Sequence, residues 1–256
     1  MKLSPLLALT IPSLLACALV AQEEPTQDEP VRGPDRGTNY RVHGIQVLPA
    51  ANRPFSARDH ILWTRQLEDG SVMRTELYAL VARDGQGRIY REHRSFVPLD
   101  SNQRSRQSDM VILDPVAHTR TTCVMKTRRC TVSSYRASAT FVLNPDGLFD
   151  HGMRFLTREN LGRNVIDGVD VTGTRETLQI ASGAVGNSQT LICMRDFWYS
   201  AALQVNLSVV RKDPRVGTQE LQLVDLSLTE PDPKIFQRPA GFVIQAIRLS
   251  GPKPTN

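Results

Sequence analysis

The sequence predicts a mainly β protein: one curved antiparallel sheet, a meander or partial barrel, with one or two short helices. Three observations predict it. The chain after residue 37 lacks long segments of helical period. Turn dipeptides punctuate it at short intervals, among them Asp69-Gly70, Asp84-Gly85, Asp146-Gly147 and Asp167-Gly168. Leu203, Val205, Leu207 and Val209 alternate with Gln204, Asn206 and Ser208, the period of a strand with one buried face.

The elements follow in order. Asp69-Gly70 divides Arg58–Leu67 from Val72–Arg83, and Asp84-Gly85-Gln86-Gly87 divides Val72–Arg83 from Arg88–Phe96. Met110–Leu113 and His118–Met125 follow a polar loop, and Cys130–Tyr135 returns from a hairpin turning at Lys126-Thr127. Gly147–Asn160 is the best place for a short helix or cover segment. Asn160–Val171 holds a strand and tight turn; Val171–Ile180 and Gln189–Tyr199 are strand-like. In Thr218–Leu228 the apolar phase shifts from Leu221 and Leu223 to Val224, Leu226 and Leu228, which predicts a bulge or burial of both faces. Pro231–Phe236 reads as a single helical turn with Pro233 near its start, and Gly241–Leu249 as a strand that closes the sheet.

The ends carry a separate message. Residues 1–21 read as a secretory signal: Lys2 supplies the positive start, Leu6–Val20 the apolar stretch, and cleavage falls between Ala21 and Gln22. Pro5 and Pro12 and the short apolar core argue against a membrane span. Leu14-Leu15-Ala16-Cys17 also resembles a lipobox, so lipidation of Cys17 is the alternative, with peripheral membrane association as its consequence. Residues 22–37, acidic and proline-rich, read as a disordered linker, residues 38–250 as one β domain, and residues 251–256 as a frayed tail. The location predicted is periplasmic or secreted, or a membrane-anchored lipoprotein.

The mature cysteines are then Cys123, Cys130 and Cys193. A turn at Lys126-Thr127 sets Cys123 opposite Cys130, within disulfide reach, and an oxidising envelope favours the bond. Cys193 lies in an apolar run as a buried thiol. The spacing does not suit a metal site.

The net charge is +5, from 31 Lys+Arg against 26 Asp+Glu. Export and the scarcity of aromatic residues near the basic clusters argue against a nucleic-acid partner. Those clusters, Arg104 and Arg106, then Arg120, Lys126, Arg128 and Arg129, suit phosphate headgroups or an acidic partner, or are a solvated loop and hairpin tip. No nucleophile elbow, phosphate loop, zinc-protease motif or C-x-x-C pair occurs. His43, His60, His93, His118 and His151 are isolated in sequence. No cofactor is implied. Trp63, Tyr78, Phe197, Leu203, Val205 and Leu207 are the candidates to line the inside of a curved sheet, as a ligand cavity or as an ordinary packed core.

The C-terminal third carries Phe197-Trp198-Tyr199-Ser200, Asp213-Pro214-Arg215-Val216-Gly217, Leu223-Val224-Asp225-Leu226 and Glu230-Pro231-Asp232-Pro233-Lys234-Ile235-Phe236. With Asp84–Glu92 and Ile166-Asp167-Gly168-Val169 upstream, this pattern resembles a family of exported bacterial proteins over most of residues 54–242. More remotely it is similar to the LolA/LolB/LppX group of lipoprotein carriers. That resemblance implies an open half-barrel with an apolar concavity for acyl chains, and transfers no specific ligand residue. The function expected is non-enzymatic binding of an apolar or lipid-like ligand, or sensing of envelope lipoproteins. The alternatives are a structural or interaction module without a cavity and, last, an exported hydrolase.

Overall fold

A computed structural model describes residues 44–136 and 146–245. Among them fourteen strands form one sheet that does not close into a barrel. The strands are β1 (Phe55–Gln66), β2 (Val72–Arg83), β3 (Ile89–Arg94), β4 (Val97–Pro98), β5 (Gln107–Asp114), β6 (Thr119–Val124) and β7 (Arg129–Ser134), then β8 (Gly147–Phe149), β9 (Arg154–Ile166), β10 (Val169–Ile180), β11 (Leu191–Ser200), β12 (Val205–Asp213), β13 (Gly217–Ser227) and β14 (Val243–Gln245).

The sheet is two meanders joined at their long inner strands. One runs from β1 outward to β7. The other runs from β8 inward to β13, and β13 pairs antiparallel with β1. Where the sequence places two-residue turns the structure has tight hairpins. Asp167 and Gly168 both take positive φ, 48° and 76°, the twist that matches two antiparallel strands. The phase shift in β13 is a bulge: Ser56 faces Ser227 but Arg58 faces Val224. Asp225 takes φ 54° there, and its carboxylate pairs with Arg58.

Two expectations are corrected. Gly147–Asn160 forms no helix; it is β8, a turn and the first half of β9. Asp150, His151 and Gly152 all take positive φ, which reverses the chain, and Arg154–Asn160 then pairs with Thr174–Ile180. The C-terminal segment does not close the sheet. β14 adds three residues to the outside of β7, in the sheet's one parallel pairing among the described residues; residues 246–249 lie outside them. The single helical element among the described residues is the 3₁₀ turn Pro233–Phe236, capped by Asp232, whose carboxylate accepts from Lys234 N.

Both faces are buried near the middle. Phe236 covers the outer face, packed with Ala82, Tyr90, Met110, Ile112 and the cystine Cys123–Cys130. Cys123 and Cys130 sit opposite each other, Cα atoms 4.0 Å apart, disulfide-bonded and fully buried. At one end Arg83 acts as a fastener. It is fully buried, and its guanidinium donates to the carbonyls of Arg53 (3.0 Å), Leu48 (2.9 Å) and Leu203. Burial pulls its pKa down to about 10.

Candidate functional site

Residues directly opposite each other in antiparallel strands share a face, so the register reads out the inner face row by row. Phe197, Val209, Leu221, Ile61 and Leu77 form one row across β11, β12, β13, β1 and β2. All but the half-buried Phe197 are buried. Two residues along the strands lies a polar row: Arg158, Glu176, Arg195, Arg211, Gln219 and Trp63, across β9 to β13 and β1.

The polar row is organised by Glu176, which is 6% exposed. Its Oε1 accepts from Arg158 Nε at 2.9 Å and Nη2 at 2.8 Å, and its Oε2 pairs with Arg195 Nη2 at 2.7 Å. Arg195 in turn stands opposite Arg211, a like-charge pair that costs free energy unless something offsets it. Burial lowers the Arg211 pKa, Arg195 lowers it further, and Asp59 opposes both. Arg195 also lies over the Phe197 ring at 5.7 Å, so the apolar and cationic rows touch. Trp63 closes the row, donating Nε1–H to Val216 O at 2.7 Å under the Arg65 guanidinium.

A second charged group lies beyond the apolar row. Asp59, 4% exposed and opposite Leu223 and Ala79, accepts from Ile45 N at 2.7 Å. Burial pushes its carboxyl up to about 6, although Arg91, the Ile45 N–H, Arg211 and His60 all pull it down. Arg91 also donates to Ile45 O. The Gly44–Val47 segment therefore lies on the inner face, held at both its N–H and C=O. Ile45 and Val47 are buried, and Val47 bridges to Val205. A Cβ on Gly44 would fall 2.2 Å from Asp59 Oδ2, so only glycine permits this approach.

Of the six lining candidates, the register brings Trp63 and Phe197 onto this face, in adjacent rows. Val205 and Leu207 are fully buried at the start of β12. Leu203 is buried in the preceding turn, where its carbonyl meets Arg83. Tyr78 does not join them: it is opposite His60 on the outer face, stacked on that imidazole at 4.1 Å. Asp59, Glu176 and Arg211 are the site residues that motif reading passes over. Their signal is positional: each is a charged residue at an inward position of a period-two strand, Asp59 between Ala57 and Ile61, Arg211 after Val205, Leu207 and Val209.

His60 and His93 each meet a carboxylate. His60 Nε2 pairs with Glu76 Oε2 at 3.0 Å, and His93 Nδ1 with Asp109 Oδ1 at 2.5 Å. His118 and His151 occupy turns at positive φ; His43 lies outside the described residues. Among the described residues no cluster of three or more His, Cys, Asp or Glu side chains could hold a metal. Cys193 is a buried thiol whose pKa burial raises. A shallow hollow of about 170 Å³, lined by His60, Leu62, Ser208, Val210, Glu220 and Gln222 with Leu221, opens on the outer face. It is small beside the roughly 300–1,000 Å³ of ordinary ligand pockets.

No family model matches the chain, and no curated protein matches it. Among solved structures it is similar to an uncharacterized conserved protein from Thermus thermophilus, at 12% identity over 77% of this chain and 91% of that one, with a TM-score of 0.40. It is similar to MucB at 11% identity over 75% of this chain and 59% of that one, TM-score 0.36. A LolA superfamily protein from Nitrosomonas europaea matches at 11% identity over 74% and 92%, TM-score 0.28.

Proposed function

We propose that this chain is an exported, non-catalytic envelope protein that binds a lipid-like amphiphile with an anionic head. The observation that carries the reading is the pair of touching rows on the inner face. Phe197, Val209, Leu221 and Ile61 offer a strip for acyl chains. Beside it, Arg158 and Arg195 hold the carboxylate of Glu176 and Arg211 stands opposite Arg195, a setting for a phosphate or carboxylate. Ile61, Val209 and Leu221 are at most 3% exposed, so uptake requires the cover over them to move, and Gly44–Val47 is one part of that cover.

Export is supported by the buried Cys123–Cys130 disulfide, a bond that persists in oxidising compartments. In this reading residues 1–21 are the leader, with Cys17 lipidation as the alternative anchor, and residues 22–37 tether a domain spanning 38–250. The test is native mass spectrometry of the protein purified from the periplasm, followed by titration with a fluorescent fatty-acid phosphate. The expected result is a lipid adduct, or saturable probe binding weakened at least several-fold by Phe197→Ser. Folded protein that carries no adduct and binds no probe would overturn the proposal.

A further inference from the structure

One end of the sheet collects exposed cations. β3 ends there, β5 begins, β6 ends, and β7 and β14 begin. Met125 N donates to Ser108 O at 2.9 Å and Ser95 N to Arg106 O at 2.9 Å, which binds the β6–β7 tip and the loop before β5 into one surface. Arg104, Arg106, Lys126, Arg128 and Arg129 are all exposed on it. None of the five has an ion-pair partner among the described residues, whereas Arg58, Arg88, Arg94, Arg158, Arg175 and Arg215 each hold a carboxylate. The acidic residues of this end are spoken for or remote. Asp109 is bonded to His93 and Ser108, Glu92 to Arg94, and Asp100 sits where the loop leaves β4, beside the Arg74 carbonyl that Leu99 N reaches.

Apolar side chains are exposed in the same place. Val243 faces Arg129 and is 59% exposed, Ile244 is 57% exposed, and Val124, opposite Arg129, is 41% exposed. Val243 N also donates to Arg128 O at 3.1 Å, so the apolar edge and the basic tip are one rigid unit, with the cystine one residue behind. Exposed apolar groups at the sheet edge beside unpaired cations match the interface of an anionic bilayer, where apolar groups enter the acyl boundary and Lys/Arg meet phosphate.

We propose that this end of the sheet, the Lys126–Arg129 tip with Val243 and Ile244, docks the protein on an anionic lipid surface. The proposal is independent of what the inner face binds: a membrane-docked protein with an empty interior, or a lipid-loaded one that ignores membranes, would separate the two.

The test is sedimentation with phosphatidylcholine vesicles made with and without phosphatidylglycerol. It is read as the ratio of the two partition coefficients, so that any contribution from an apolar leader or a lipidated Cys17 cancels. The variant Lys126→Gln/Arg128→Gln/Arg129→Gln is compared with Arg163→Gln/Lys212→Gln/Lys234→Gln, which removes the same charge from exposed positions elsewhere. At about fivefold per cation, the tip variant should lose anionic preference on the order of a hundredfold, the remote variant much less, and high salt should abolish the wild-type preference. Val243→Ser/Ile244→Ser should weaken binding to both vesicle types. Equal wild-type binding to the two vesicles would overturn the proposal, as would equal losses in the two charge variants, with folding of each verified by its circular dichroism melt.

Discussion

Asp59 decides a contest between burial and attraction, and its pH dependence reads out which wins. Two arginines, a histidine and the Ile45 N–H favour the carboxylate, but desolvation outweighs them and lifts the group from 3.8 to about 6. The folded protein then binds more protons than the unfolded chain between those values, so stability falls as pH rises through this window. A separation of about two pH units corresponds to about 3 kcal/mol, absent below pH 3.8 and complete above about 6. Asp59→Asn keeps an acceptor for Ile45 N–H and removes the charge. It should therefore be more stable than wild type at pH 7 by up to about 3 kcal/mol, or roughly 6–12 °C in Tm for a domain of this size, and level with it near pH 3.5. Urea melts of both proteins across this range give the difference curve, in which the other carboxylates cancel. A flat difference would refute the argument by showing that Arg91 and Arg211 balance desolvation, and a wild-type gain as pH rises would show that they prevail over it.

Glu176→Gln removes the carboxylate that Arg195 holds beside Arg211 and one of the two that Arg158 holds, leaving Arg158 its pair with Asp146. Removing one partner of a fully buried pair costs about 3–5 kcal/mol; Arg195 is 40% exposed and partly hydrated, so a loss of about 2–3 kcal/mol is expected in denaturant melts, and no loss would reject the network. Gly173→Ala puts a Cβ 2.7 Å from Trp198 Cζ3 and 2.8 Å from Leu161 Cβ. Overpacking of that kind costs about 1–3 kcal/mol and should perturb the near-ultraviolet dichroism of Trp198. Cys123→Ser/Cys130→Ser opens a short loop and should cost about 2–3 kcal/mol; a non-reducing peptide map of wild type should show the 123–130 crosslink with Cys193 alkylated, and three alkylated cysteines would reject the bond.

Local chemistry made much of this architecture readable. Asp69-Gly70 and Asp84–Gly87 turn where they were expected to because their residues tolerate the backbone a hairpin requires. The Lys126-Thr127 turn sets Cys123 against Cys130 by counting alone. The bulge at Asp225 is visible beforehand as a change of apolar phase. Gly147–Asn160 misled because Leu148, Phe149, Phe155 and Leu156 are compatible with either period, and pairing with β10 settled the matter. Trp63 and Phe197 were recognisable as inward aromatics, but Tyr78, one strand away, required the β1–β2 register to assign it to the other face.

What the sequence determined by itself is therefore most of the strands, the turns between them and the near-neighbour disulfide, all of which depend on contacts a few residues apart. What only the tertiary structure decided is which strands from the two halves meet. The β1–β13 pairing joins residues about 160 apart in sequence, and no local signal encodes it, because antiparallel edges with similar alternation are interchangeable until side chains pack across them. That one pairing places Asp59 within reach of Arg211 and aligns Trp63 with Glu176 in a single row. The charged inner face exists only once the two meanders have joined.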